Sequence, residues 1–105
     1  MYDEGLLQRC RDCLNGLGER GISDKNVFGM RGLMRGKSMF AAVGESGIVV
    51  KVPAAEYDAA LQQPGIGPFT PGGQKLGTWV EIEEAAIADD PELRQWLGTG
   101  LRALR

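Results

Sequence analysis

The sequence predicts an α+β domain: an antiparallel sheet of about five strands with helices beside it, in the order αβββαββα. Three observations predict it. Sixteen glycines in 105 residues are too many for a helical bundle and mark tight turns. The stretch Val27 to Val52, VFGMRGLMRGKSMFAAVGESGIVVKV, is a set of short apolar runs broken by glycine turns, which reads as a three-stranded meander. Its hairpin connections are too short for a parallel crossover. With 43% hydrophobic and 25% charged residues, the chain is long enough to bury a core as a single domain spanning 1–105.

Leu6, Leu7, Cys10, Cys13, Leu14 and Leu17 recur at helical spacings and predict an amphipathic helix from about Asp3 to Leu17. Asp3 and Glu4 suit its positive end, and Gly18 is a stop signal. Gly21 to Asn26 is polar and reads as a link. Val27 to Leu33 is the first strand, with Gly29 and Gly32 marking a bulge or a close backbone contact. Arg35-Gly36-Lys37 turns the chain into Ser38 to Val43, and Gly44-Glu45-Ser46-Gly47 turns it into Ile48 to Val52. Pro53 ends that strand and opens a short helix over Ala54 to Gln62.

Pro64 to Pro68 reads as a loop, and Phe69-Thr70 as the opening of a strand. Thr70-Pro71-Gly72-Gly73 has proline and glycine where a type II turn needs them. Thr78 to Glu83 is the last strand. Asp90-Pro91-Glu92 starts the final helix, with Asp90 as its cap and Leu93, Trp96, Leu97, Leu101 and Leu104 as its stripe. Gly98 and Gly100 should soften that helix, and Arg102 and Arg105 suit its C-terminal end.

The composition narrows the function classes. The net charge of -2 lacks the overall basic balance of a nucleic-acid binder. The acidic opening MYDEGLL is no secretory signal and no run approaches membrane-spanning length, so the expected location is cytoplasmic, without a membrane partner. The chain has no histidine, which removes the commonest general base, the Ser/His and Cys/His pairs and every His-containing zinc site. No enzyme, metal or cofactor is expected.

Individual motifs resolve mostly into structure. Cys10-Arg11-Asp12-Cys13 has redox spacing, but both sulfurs fall on the apolar stripe of a helix and read as core. Gly29-Met30-Arg31-Gly32 matches the GXXG that clamps nucleic-acid backbone, although that loop joins two helices and this one lies among strands. Arg31, Arg35 and Lys37 nevertheless make a basic turn able to meet phosphate. Gly44-Glu45-Ser46-Gly47 is a turn rather than a nucleophile elbow, since Ile48 stands where glycine is required. Glu81, Glu83, Glu84, Asp89 and Asp90 read as strand teeth and a helix cap rather than a cation site.

Alternation supplies the last candidate. It places Met39, Ala41 and Val43 on one face of the second strand, with Ile48, Val50, Val52, Val80 and Ile82 as core. The opposite face would carry Phe40, Val49 and Trp79 as anchors with Lys51, Glu81 and Glu83 around them, a mixed surface suited to a protein partner or a homodimer.

An ordered set of short motifs runs through nearly the whole chain, from about Leu6 to Leu101. It comprises Phe28-Gly29-Met30, Gly36-Lys37, Met39-Phe40-Ala41, Ile48 to Val52, Tyr57 with Ala60-Leu61, Pro68-Phe69 and Gly77-Thr78-Trp79-Val80. In order and spacing it resembles the N-terminal domain of the TfoX/Sxy family of bacterial competence regulators. The resemblance implies a secretion-chaperone-like α+β fold and an association with regulation of competence and transcription. It implies no catalytic residues. Regulators of this family carry a second, C-terminal helical domain, whereas this chain stops at Arg105 and looks like a stand-alone N-terminal domain. The function expected is a non-catalytic protein-interaction module. The alternative is a nucleic-acid-binding regulatory domain using the turn Arg31 to Lys37.

Overall fold

A computed structural model describes residues 1–104; Arg105, assigned above to the end of the last helix, lies outside the described residues. Helix α1 spans Glu4–Gly16 and buries Leu6, Leu7, Cys10, Cys13 and Leu14, the stripe that its spacing predicts. The Asp3 carboxylate caps it by accepting the Leu6 N–H at 3.1 Å. Gly18 ends it in the left-handed region at φ 74°. There the Glu19 N–H reaches the Leu14 carbonyl at 3.1 Å and the Gly18 N–H reaches that of Asn15 at 3.0 Å, so two otherwise orphaned carbonyls are satisfied.

Strands β1 (Ile22–Val27), β2 (Met30–Arg35), β3 (Ser38–Val43) and β4 (Gly47–Lys51) follow as successive antiparallel hairpins. A short 3₁₀ turn, Ala54–Glu56, leads into helix α2 (Tyr57–Leu61). Then come β5 (Ile66–Pro68), β6 (Trp79–Glu83), a 3₁₀ turn at Glu84–Ile87 and helix α3 (Asp90–Arg102). The strands form one six-stranded sheet in the order β1-β2-β3-β4-β6-β5, antiparallel throughout.

The expected α+β architecture holds, with corrections. The polar segment before Val27 is β1, an edge strand paired only with β2, so four strands precede α2 rather than three. Gly29 is not a bulge inside a strand. With Phe28 it forms the two-residue turn between β1 and β2, both residues at positive φ, 54° for Phe28 and 76° for Gly29. The presumed loop Pro64 to Pro68 contains β5, whose residues pair with β6. The type II turn at Thr70 forms as expected: Gly72 has φ 67° and ψ 16°, and the Gly73 N–H reaches the Thr70 carbonyl at 3.1 Å. Asp89, not Asp90, is the cap residue of α3 by its extended backbone, without a side-chain capping bond, and the Asp90 carboxylate meets Arg9 at 2.9 Å.

All three helices pack on one side of the sheet, here called the front. Its core joins Leu6, Leu7, Cys10 and Leu14 of α1, Tyr57 and Ala60 of α2, and Leu93, Trp96, Leu97 and Leu101 of α3 to Leu33, Val43, Ile48, Val50, Val80 and Ile82 of the strands. Each such large apolar side chain contributes about 1.5–3 kcal/mol by leaving water. The closest helix-to-sheet approach is at Gly100, where a Cβ would stand 2.7 Å from the Phe40 carbonyl oxygen and 3.1 Å from its ring. Gly100 is therefore a contact point rather than a softening of the helix. Gly98, where a Cβ would meet nothing, fits the softening role.

Phe40 itself is the main departure from the expected faces. Leu33 pairs with Ala41 but Met34 pairs with Met39, so Phe40 is an extra residue in β3. The bulge resets the alternation, and Phe40 and Ala41 both enter the front core, each 0% exposed. Met39 moves to the back, where its sulfur lies over Gly32, 2.7 Å from where a Cβ would be.

Candidate functional site

Among the described residues, no helix packs on the back of the sheet. Its apolar centre is a second cluster, Ala42, Val49 and Phe69, with Met30, Met39 and Trp79 packed around it. No helical residue contributes to that cluster among the described residues. Register explains the set. Val49 faces Glu81, and Lys51 faces Trp79, across the β4–β6 pair, so all four side chains stand on the back. Of the residues expected to form a mixed surface, Val49, Lys51, Trp79 and Glu81 are thus together, as is Glu83. Phe40 is the correction: the bulge buries it under α3, and Met39 occupies the place assigned to it.

Phe69 and the loop after it lie over this centre. The loop closes on itself, with the Leu76 N–H on the Phe69 carbonyl at 3.0 Å and the Phe69 N–H on the Trp79 carbonyl at 3.1 Å. Phe69 covers Val49, which is consequently buried at 2% exposure, whereas Trp79 and Met39 stay half-buried. Val49 is therefore a floor residue, and Trp79 is an edge that a partner can touch.

Phe28 was not among the residues expected at this surface. Its ring is 68% exposed and meets Phe69 edge-on, with ring centroids 6.5 Å apart. Its backbone sits at φ 54°, where a bulky residue costs about 1–2 kcal/mol and where asparagine is the usual occupant of such a turn. The sequence signal was Phe-Gly between two apolar runs, legible as a turn but not as an aromatic displayed on one.

Beside the cluster lies a groove of about 340 Å³ lined by Met1, Met30, Phe69, Glu45, Glu81 and Glu83, with Val49 beneath. Gly44 and Gly47 also line it, and both are places where the chain packs too closely for a side chain. A Cβ on Gly44 would press on the Met30 methyl at 3.2 Å, and one on Gly47 would collide with the Ile82 carbonyl.

The basic turn is largely neutralised by its own fold. Arg31 meets Asp24 at 2.7 Å and the Asn26 side chain at 3.0 Å. Arg11 holds the same carboxylate at 2.6 Å, and Arg35 reaches Glu19 at 3.6 Å. Hydrogen bonding from Arg11, reinforced by Arg31, holds the Asp24 carboxyl below its ordinary value. Lys37 is exposed and forms no ion pair among the described residues.

The two cysteines behave as core. Both are free and buried on α1. Burial pushes the Cys10 thiol up to about 12, helped by its neighbour Cys13, and burial raises Cys13 as well. A thiol so far from ionisation is a poor nucleophile. A second cavity of about 200 Å³ lies between α2 and α3, lined by Val52, Glu56, Gln63, Trp96, Thr99 and Arg102. An ion pair between Arg102 and Glu56 at 2.7 Å joins two of its walls.

The architecture and the motif order agree with one family. Residues 12–104 match the family model described as the TfoX N-terminal domain. The chain belongs to the TfoX N-terminal domain family. No curated protein and no solved structure shows a significant match to it. Among the described residues, no helix of this TfoX N-terminal domain is long and apolar enough to cross a membrane.

Proposed function

We propose that this TfoX N-terminal domain is a non-catalytic protein-interaction module, tied to regulation of competence or transcription, that holds its partner on the helix-free face of the sheet. The observation that carries the reading is Phe28. A bulky aromatic stands in solvent on a backbone conformation that disfavours it, beside the half-buried Met30, Met39 and Trp79. Strain at an exposed position persists where some other requirement holds the residue. A contiguous apolar surface edged by Lys51, Glu81 and Glu83 has the composition of a contact site.

The non-catalytic part is supported by the missing histidine and by two buried thiols, both of which burial pushes up from the ordinary value. Nucleic-acid binding through Arg31, Arg35 and Lys37 is the weaker alternative, because two of the three guanidinium or ammonium groups already face carboxylates of the same chain.

The test pairs affinity capture in the native host with a mass measurement in solution. The unmodified domain should retain a defined protein that Phe28→Ser and Trp79→Ala both release, while each variant keeps its circular dichroism. Retention undiminished by both substitutions would sink the back face as the contact site. If the occupant is a second copy, the measured mass should rise with concentration and Trp79→Ala should return it to that of a monomer. Binding of DNA or RNA at low salt, lost on neutralising Arg31, Arg35 and Lys37, would favour the alternative.

A further inference from the structure

We propose that the outer edge of β1 takes an extended segment of a partner protein, acidic on one side and apolar on the other, as a further antiparallel strand of the sheet. The site is separate from the back-face cluster. The two edges of the sheet are built differently. Strand β5 is three residues long and ends in Pro68, which has no N–H to offer. Strand β1 runs six residues without proline, keeps one register with β2 throughout, and pairs with nothing on its other side.

The turn at Phe28 and Gly29 fixes which backbone groups of β1 are spare. Val27 and Met30 flank this two-residue turn as a hydrogen-bonded pair, so by alternation Lys25 and Ser23 also bond β2. Ile22, Asp24 and Asn26 therefore direct their N–H and C=O groups outward. No backbone group outside β2 meets them among the described residues. A line of donors and acceptors at that spacing is matched by another extended chain.

The side chains set the chemistry of that chain. On the back, Lys25 is exposed and forms no ion pair among the described residues, and Arg20, just before the strand, is the same. The register neighbours of Lys25 on that face are Ser23, Val27 and Gly32, none of them acidic. On the front, Asp24 is already held by Arg11 at 2.6 Å and Arg31 at 2.7 Å, so an acid opposite it would meet a carboxylate. An apolar side chain there lies instead beside Ile22, next to a groove of about 210 Å³ that Arg11, Leu14 and Asn15 of α1 form with β1. The fitting strand carries acids opposite Lys25 and apolar residues opposite Ile22, Asp24 and Asn26.

Other occupants fit worse. Two β1 strands paired about a two-fold axis set one residue opposite itself. Centring the pair on the middle of the strand opposes Asp24 to Asp24 or Lys25 to Lys25, and centring it elsewhere leaves only about half the strand paired. A phosphate backbone suits the cations but brings no N–H for the outward carbonyls.

The experiment is fluorescence anisotropy of the whole domain with a labelled peptide of about ten residues alternating valine and glutamate, with amide exchange followed by NMR on the same mixture. The peptide should bind and slow exchange at Ile22, Asp24 and Asn26, while Ser23, Lys25 and Val27, already bonded to β2, change little. N-methylation of its valines, whose amides would bond β1, should weaken binding at least about tenfold. N-methylation of its glutamates, whose amides point away, should leave binding unchanged. A peptide with lysine in place of glutamate should bind at least about tenfold more weakly, and Lys25→Glu should reverse that preference. Trp79→Ala should have no effect. Binding that survives valine methylation, leaves exchange in β1 unaltered, or ignores the swap of glutamate for lysine would overturn the proposal, as would no binding up to about 1 mM. Loss of binding in Trp79→Ala would overturn it in favour of the back face. Protection of Ile22, Asp24 and Asn26 by a concentration-dependent dimer would do so in favour of a second copy, and equally tight binding of a single-stranded DNA oligonucleotide in favour of nucleic acid.

Discussion

The two faces of this one sheet differ less in what they display than in what covers them. On the front, Leu33, Phe40, Ile48, Val50, Val80 and Ile82 are all at or below 1% exposure, sealed by three helices. On the back, Met30, Met39 and Trp79 are apolar too, yet they pack around Ala42, Val49 and Phe69 with no helical residue in the cluster among the described residues. The same strands therefore present two differently covered faces, and side-chain alternation, reset by the bulge at Phe40, decides which face a residue joins. A residue on the front answers to stability. On the back, only Ala42 and Val49 of the cluster are sealed to a similar degree, and Met30, Met39 and Trp79 stay half-buried.

That contrast can be broken most forcefully at Phe40. Phe40→Ala should cost about 3–5 kcal/mol in urea denaturation, as for any large core truncation. Trp79→Ala on the back should cost only about 1–2 kcal/mol, because the ring is half-buried, while removing partner binding. Comparable losses at the two sites would mean that the back is core as well.

Next comes the pair of glycines on α3. Gly100→Ala should destabilise by about 1–3 kcal/mol, since its Cβ would press on the Phe40 backbone and the helix would have to lift from the sheet. Gly98→Ala meets nothing and should stabilise by about 0.5–1 kcal/mol through helix propensity alone. Opposite signs from two glycines two residues apart would locate the front contact sharply in thermal unfolding.

A smaller effect tests the edge of the front. Asp24 ties α1 to β1 and β2 through Arg11 and Arg31, and its folded-state pKa lies below the ordinary 3.8. A carboxylate depressed in the folded state adds stability that is fully present above its unfolded value. The contribution disappears as pH falls through the lower, folded-state value. Asp24→Asn should therefore cost about 1 kcal/mol at neutral pH. The cost should shrink toward zero in the acid limb of a pH–stability curve.

The smallest change sharpens the back. Phe28→Asn relieves a left-handed backbone worth about 1–2 kcal/mol and gives up a mostly exposed aromatic contact worth about 0.5 kcal/mol. The net should be a gain of about 1 kcal/mol in stability together with weaker partner binding. Stability and binding moving in opposite directions would distinguish a functional aromatic from a structural one.

Much of this was legible in the residues. The Leu6 to Leu14 stripe marked α1, the glycine turns marked the hairpins, and Thr-Pro-Gly-Gly named its own turn type. What escaped had physical causes. Strand β1 reads Ile-Ser-Asp-Lys-Asn-Val, and an edge strand with solvent beside it can form without the apolar alternation by which a strand is recognised. Strand β5 is three residues long and ends in proline, so no periodicity can develop. The bulge was invisible because Met39-Phe40-Ala41-Ala42-Val43 is apolar throughout, and an unbroken run gives no parity to read. That one extra residue moved Phe40 from the supposed contact surface to the core. Register, not composition, carried the information.

The front core also imposes an order on how the molecule comes into being. Its two long helices lie at opposite ends of the chain, packed together and tied by the Arg9–Asp90 pair, with the whole sheet encoded between them. During synthesis the hairpins β1 to β4 can close early, because their partners are neighbours in sequence. Their front face is then only partly covered, by α1 and α2, until α3 emerges with Leu93, Trp96, Leu97 and Leu101. On the ribosome, the surface most in need of a chaperone is thus the one that never faces water in the finished fold.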